Sequence, residues 1–244
     1  MVKMLRTALT QWQQLAPADR KLDAAARERL ASNHRFADRY PDDGLVLAEY
    51  GRDLGRPVDE GDWRTQAWNE DQAWFTKAEA ASMVPAETTV GAEAQVPRPL
   101  VERLARLHLL DFVRGQTPDL PAAAVQTAEL RVRVAAVEGD RVHLQLSGRT
   151  HSEETGRWIV RDGGKGPEKH TRGVRLELDG HATWDRAAGR FTAFELLAEG
   201  ERWGATRYNQ RADDTAPTRV GFAFVLAPKD HPRVAPSFAW AYGW

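Results

Sequence analysis

Histidine is the side chain best suited to proton transfer or metal ligation near neutral pH, and this chain has seven: His34, His108, His143, His151, His170, His181 and His231. None falls in an H-E-x-x-H pattern, and no two stand at i, i+2 on a strand. Alternation places His143 and His181 on the polar phase of their strands, together with Arg175 and Glu177. If those strands are neighbours, the group could hold zinc or do acid–base work. The plainer reading is a solvated sheet face. A second concentration of chemistry is Trp203-Gly204-Ala205-Thr206-Arg207-Tyr208-Asn209-Gln210-Arg211, where groups that stack and groups that hydrogen-bond share one strand end. Trp203, Tyr208, Asn209 and Arg211, with His143, Arg175 and His181, form the predicted ligand-binding set. The competing expectation packs Trp203 in the core and pairs Arg211 with Asp213 or Asp214.

Other candidates are weaker. His151-Ser152-Glu153-Glu154 offers an imidazole, a hydroxyl and two carboxylates, but a triad is defined by geometry and not by adjacency. Gly163-Gly164-Lys165-Gly166 lacks the early glycine and the following Ser or Thr of a phosphate loop, and reads as a mobile hairpin tip over 161–169. His108 lies at the edge of a helix's apolar face and reads as a partly buried histidine bonded to a neighbour. No catalytic residue, metal or cofactor is assigned.

The elements that must position these groups are mostly strands. Leu130, Val132 and Val134, then Val142, Leu144 and Leu146, then Val174, Leu176 and Leu178 each alternate with polar residues, and Val220, Phe222 and Phe224 end the series. A period of two predicts strands with one buried face. Residues 128–227 are therefore expected to form one antiparallel sheet of at least five strands, with a hairpin turn at Glu138-Gly139-Asp140. A long connection is expected over 149–172, with a short strand at Trp158-Ile159-Val160. A turn is expected at Gly200, then a strand over 202–209. Upstream, Leu45–Tyr50 reads as a strand, 51–73 as a surface excursion, and Thr76-Lys77-Ala78-Glu79 as a capping box. Leu100, Leu104 and Leu107 form the stripe of a helix over 99–110. Residues 1–40 read as helical, with Leu5, Leu9 and Trp12 on one face and Leu22, Ala26 and Leu30 on a second helix.

The expected fold class is α+β, mostly β: a curved antiparallel sheet or partly open barrel with one packed helix and a helical N-terminal segment. Its organisation is 1–40 helical, 41–127 mixed, and 128–244 sheet with a docked aromatic tail; 41–244 is expected to be one domain.

Several residue groups resemble a known family: Trp74-Phe75-Thr76 with Glu79-Ala80, Pro99-Leu100 with Arg103-Leu104-Ala105-Arg106 and His108-Leu109, and Arg114-Gly115. Phe191, Phe194, Gly200, Trp203-Gly204, Tyr208, Arg211 and Gly221-Phe222-Ala223-Phe224 complete the pattern. Over residues 45–228 the chain resembles an uncharacterised family of bacterial proteins, many of them exported. The resemblance implies no activity and no site residue.

Composition narrows the function classes. The 244 residues carry 34 Lys and Arg against 35 Asp and Glu, a net charge of −1, which argues against a polyanion such as nucleic acid as partner. There is no cysteine, so disulfides, thiolate metal sites and thiol nucleophiles are excluded. No apolar run is long enough to span a bilayer as a helix. The start is too polar for a signal peptide, so the expected location is extracytoplasmic if a signal has been removed and cytoplasmic otherwise. The leading functional expectation is a non-catalytic binding or scaffolding protein for a small molecule or glycan. The alternatives are a hydrolase or metal-dependent enzyme using His143 and His181, and an interaction subunit whose protein partner covers the aromatic C-terminal tail.

Overall fold

The computed structural model describes residues 2–21, 23–25, 27–28, 43–161, 166–228 and 234–242. The chain divides into two compact units, 1–39 and 40–244. In the first, α1 (Val2–Gln14) carries Leu5, Leu9 and Trp12 exposed, and the Arg20 guanidinium lies 5.1 Å from the centre of the Trp12 ring. The stripe Leu22, Ala26 and Leu30 lies outside the described residues.

The second unit is built on one eight-stranded antiparallel sheet, ordered β2-β1-β8-β7-β6-β5-β4-β3. Its strands are β1 (Leu45–Asp53), β2 (Trp68–Phe75), β3 (Glu93–Gln95), β4 (Val125–Glu138), β5 (Arg141–Trp158), β6 (Glu168–Asp185), β7 (Arg190–Trp203) and β8 (Thr218–Leu226). The sheet is open, with β2 and β3 as its edges. The five consecutive strands β4–β8 supply the antiparallel sheet of at least five strands expected over 128–227. Their alternating apolar residues, among them Leu130, Val132, Leu144, Leu176, Leu196 and Phe224, form the inner, buried face.

Two short helices cover that face. In α2 (Lys77–Ser82) the capping box forms as predicted: the Glu79 N–H donates to Thr76 Oγ1, and the Thr76 N–H donates to Glu79 Oε2. The same carboxylate accepts from Arg103 Nη1 at 3.0 Å, which ties α2 to α3 (Arg98–Leu107). Leu100, Leu104 and Leu107 of α3 are buried among the sheet residues, as their spacing predicts. Each contributes roughly 1.5–3 kcal/mol by leaving water. The chain after α3 stays buried. Leu107 to Arg114 form an irregular turn inside the molecule, and Asn69 Nδ2 donates to the Phe112 carbonyl within it.

Three expectations are corrected. The segment 149–172 is not a long connection. β5 and β6 pair without interruption from Arg141↔Asp185 out to Trp158↔Glu168. Beyond the core both faces of this ribbon are polar, with Thr155 facing Thr171 and Arg172 facing Glu154, so the apolar period that marks a strand vanishes. Gly200 is likewise no turn. It lies inside β7, where an added Cβ would sit 2.0 Å from the Arg175 carbonyl oxygen. Here glycine serves close approach of two strands, and residues 204–217 form the loop instead of a strand. Finally, part of the 51–73 excursion is strand: β1 continues to Asp53 and β2 begins at Trp68. β2 escapes its period because Asp71 and Gln72 are both buried.

Of the predicted mobile loop, residues 162–165 lie outside the described residues. The tail docks as predicted: the Val234 N–H donates to Gln72 Oε1, the Ser237 N–H donates to Asp71 Oδ1, and Phe238 and Tyr242 are buried.

Candidate functional site

The predicted binding residues separate into three places. On the outer face of the sheet, Trp203 lies flat across Gly173, where an added Cβ would meet its ring at 2.3 Å. Its Nε1 donates to Glu153 Oε2 at 3.1 Å, and the Arg175 guanidinium sits 5.8 Å from the ring. Trp203 and Arg175 are thus together, with His151 against the same indole. The core placement of Trp203 does not occur. His143 and His181 occupy the far end of that face. His143 pairs across the strands with Thr183, and His181 with Gln145, so they are diagonal neighbours. Each ring meets its own carboxylate, Glu138 at 3.6 Å and Glu195 at 3.4 Å. Neither belongs to the group of side chains able to share one ion among the described residues.

Asn209 and Arg211 are elsewhere, under the inner face and fully buried, while Tyr208 between them and Trp203 is 51 % exposed. Arg211 is the centre of an ionic lattice. Its Nη2 donates to Asp53 Oδ1 at 2.6 Å and to Asp111 Oδ1 at 2.8 Å, and its Nη1 donates to Asp214 Oδ2 at 3.1 Å. The pairing of Arg211 with Asp214 is the one the plainer sequence reading expected. Arg114 adds bonds to Asp53 and Asp214, Arg202 Nη2 lies 2.7 Å from Asp214, and Asn209 Nδ2 donates to Asp111. Burial by itself would raise the Asp53 carboxyl, but the bonds and charges of Arg211 and Arg114 outweigh it and hold it below the usual range. Burial works against Asp214 as well, and the charges of Arg202, Arg56, Arg211 and Arg114 hold it low. Every charge here is spent on another side chain, which is the chemistry of a cross-link between β1, the 107–115 turn and the 204–217 loop.

The outer face carries a site that the motif reading passed over. Register aligns Trp68, Arg52, Gly221 and Glu199 in one row, and Tyr50, Ala223 and Leu197 in the next. Gly221 and Ala223 leave the middle of both rows low. Leu54, Val58, Thr65 and Gln66 of the 54–67 excursion rise on one side, and Leu197 and Glu199 on the other. The result is a cleft of about 630 Å³. Trp68 is 62 % exposed and Leu197 61 %, and the rings of Tyr50 and Trp68 lie 6.4 Å apart at 45°. Glu199 is paired with Arg219. Arg52 has no ion-pair partner among the described residues. The excursion wall is held by its own bonds: Thr65 Oγ1 accepts from the Asp59 N–H, and Asp62 caps the 63–65 turn. The signal that could have found this cleft was present: Gly221-Phe222-Ala223 puts small residues on one phase of a strand, and Trp68 lies beside a run of polar residues.

A second buried polar group sits under β1 and β2. His108 Nδ1 lies 2.8 Å from Glu49 Oε2 and 3.5 Å from Asp71 Oδ2, and its Nε2 lies 2.6 Å from the Tyr242 hydroxyl. The hydroxyl also accepts from the Trp74 N–H at 3.2 Å. Asp71 Oδ1 accepts from the N–H groups of Gln72 and Ser237. Glu49 Oε1 is buried with no hydrogen-bond partner. Burial, then the neighbouring Asp71 charge, raises the Glu49 carboxyl well above its usual range. Burial lifts Asp71 to about 6 and lowers His108 to about 3, the latter aided by the Arg103 charge. The expectation of a partly buried, hydrogen-bonded His108 becomes a fully buried one, placed by the turn after α3 and not by the helix face.

Compared with protein-family models, with curated proteins and with solved structures, the chain has no significant match in any of the three.

Proposed function

We propose that this is a non-catalytic binding protein whose ligand is a small molecule with a flat apolar body and an anionic end, held in the outer-face cleft. The observation that carries the reading is the cleared strip over Gly221 and Ala223, flanked by the exposed Trp68 and Leu197 and the half-buried Tyr50. Its volume lies within the roughly 300–1,000 Å³ common for small-molecule sites. The apolar floor and the two rings suit a planar group. Arg52, at the edge of the strip, supplies the charge for a carboxylate. The polar groups around the cleft are Arg52, Thr65, Gln66, Glu199 and the Tyr50 hydroxyl, which include no nucleophile with an adjacent base. The ligand expectation from sequence is kept in kind and moved in place, from the Trp203–Arg211 end to the β1–β8–β7 strip.

The test is equilibrium dialysis of the full chain against a panel of aromatic carboxylates, their neutral amides and neutral oligosaccharides. Binding of a carboxylate is expected to weaken on the order of tenfold or more in Leu197→Asp and in Arg52→Ala, a loss of about 1.4 kcal/mol or more. Unchanged affinity in both variants, or preference for the neutral oligosaccharides, overturns the assignment.

A further inference from the structure

The imidazole beneath β1 has more neighbours than protons to offer them. A neutral imidazole has one N–H, and here its two ring nitrogens face three residues: Glu49 and Asp71 at Nδ1, and Tyr242 at Nε2. Hydrogen bonding alone satisfies one carboxylate at Nδ1. It leaves Asp71 Oδ2 at 3.5 Å from the ring, beyond a good bond to it, with Ser237 as a hydrogen-bond donor to Asp71, and it leaves Glu49 Oε1 buried with no partner. The Arg103 guanidinium, whose charge reaches His108, is engaged by Glu79 and by the Trp74 carbonyl. Two acids and an imidazole therefore converge in the interior, and among the described residues neither acid of the group has a Lys or Arg ion-pair partner. That contrasts with native interiors, where buried charges are paired or ligate metal.

We propose that Glu49, Asp71 and His108 bind a divalent first-row metal ion of the zinc type, with Tyr242 holding the histidine from behind. One donor atom from each residue already lies within 4.8 Å of the other two. Ligands at about 2.0–2.2 Å from a shared ion stand about 3–3.5 Å apart. The Asp71–His108 separation of 3.5 Å meets this, and the 2.8 Å from Glu49 needs a small outward rotation. Glu49 Oε1, on a carboxylate already in the group, supplies a fourth donor if that residue binds through both oxygens. The mixed nitrogen and oxygen set suits zinc, iron or manganese. It does not suit calcium, which takes six to eight oxygens.

The surrounding bonds are those a ligated site requires. A metal-bound imidazole donates its other N–H to a fixed acceptor, and Tyr242 Oη stands 2.6 Å from Nε2. Asp71 keeps Oδ1 occupied by two backbone N–H groups, which aims Oδ2 at the ring. Because the tail residues Ser237 and Tyr242 bond to these side chains, the ion is enclosed as the tail docks, and binding is coupled to folding. The site is independent of the cleft: Glu49 and Tyr50 are consecutive on β1 and point to opposite faces.

The experiment is refolding. Full-length chain is unfolded in denaturant with chelator, refolded with or without zinc chloride, desalted and analysed for metal. About one zinc per chain is expected, with a higher melting temperature than the chelator-refolded protein. Glu49→Gln and His108→Asn are expected to carry none. Tyr242→Phe keeps all the ligands and is expected to bind zinc about 10–100-fold more weakly in chelator competition. Wild-type chain refolded without zinc uptake overturns the proposal, as does a full equivalent retained by Glu49→Gln. If the ligand variants do not fold, wild-type zinc affinity in Tyr242→Phe overturns it.

Discussion

Glu49 and Asp53 stand four residues apart on β1, both facing inward and both buried, and they have opposite fates. Asp53 meets Arg211 and Arg114, and its carboxyl is held low. Glu49 meets an imidazole and a second acid, and its carboxyl is pushed high. One turn serves both, since His108 goes to the first group and Asp111 and Arg114 to the second. The difference teaches that burial alone does not set the behaviour of a carboxylate in this core. What decides it is whether the opposing side chain is a permanent cation. Guanidinium pairs close the lattice on itself, whereas the imidazole group is left short of positive charge.

Arg211→Ala should break the comparison most strongly. It removes the cation shared by Asp53, Asp111 and Asp214, and leaves Asp53 with Arg114 as its one hydrogen-bonded cation among the described residues. Removing one member of a buried pair costs about 3–5 kcal/mol, because the remaining charge is uncompensated. Urea denaturation is the measurement. A loss below about 1 kcal/mol would show that Arg114 and Arg202 already neutralise the lattice without it.

The acid response sharpens the same contrast. Asp53 and Asp214 have folded-state pKa values below the 3.8 of an unperturbed aspartate. At a pH between the folded and unfolded values the unfolded chain binds more protons, so the slope of stability against pH is positive there. The contribution of these two residues is therefore complete above the unfolded value and is lost as pH falls through the folded one. Denaturation midpoints should drop below about pH 4 in the wild type. The drop should be shallower in Arg211→Ala, whose Asp53 has lost its main stabilising partner. Equal slopes in the two proteins would place the acid sensitivity outside the lattice.

How much of this was legible beforehand follows from what each residue contacts. The run of five antiparallel strands was readable because Leu130 through Phe224 face one apolar layer, and period-two alternation survives wherever that layer is continuous. The capping box was readable because all its contacts lie within four residues. β2 was not, because its inward Asp71 and covered Gln72 are polar residues satisfied by a tail more than 160 positions away. The Trp203–Arg211 segment looked like one site, yet the chain puts Trp203 outside and Arg211 inside. Stacking and hydrogen-bonding potential can be read from residue type, but the face each residue occupies depends on where β7 ends. Both buried clusters draw on Glu49, Asp53, His108 and Asp111, which look like ordinary polar interruptions until the 107–115 turn is known to pass through the interior.

The smallest expected effect tests whether the lattice owes its strength to burial or simply to pairing Arg with an acid. Arg219 and Glu199 make such a pair on the outer face, at the rim of the cleft, with both side chains more than half exposed. Exposed pairs of this kind gain little, because water screens the charges and two long side chains lose freedom; they contribute about 0–1 kcal/mol. Arg219→Ala should therefore shift the urea midpoint by an amount worth less than about 0.5 kcal/mol, and the shift should shrink further in 1 M salt. Arg211→Ala should keep most of its cost in the same salt, since ions do not reach a side chain with no exposed surface. A salt-sensitive Arg211 effect, or an Arg219 effect of comparable size, would mean that pairing and not burial separates the lattice from the surface.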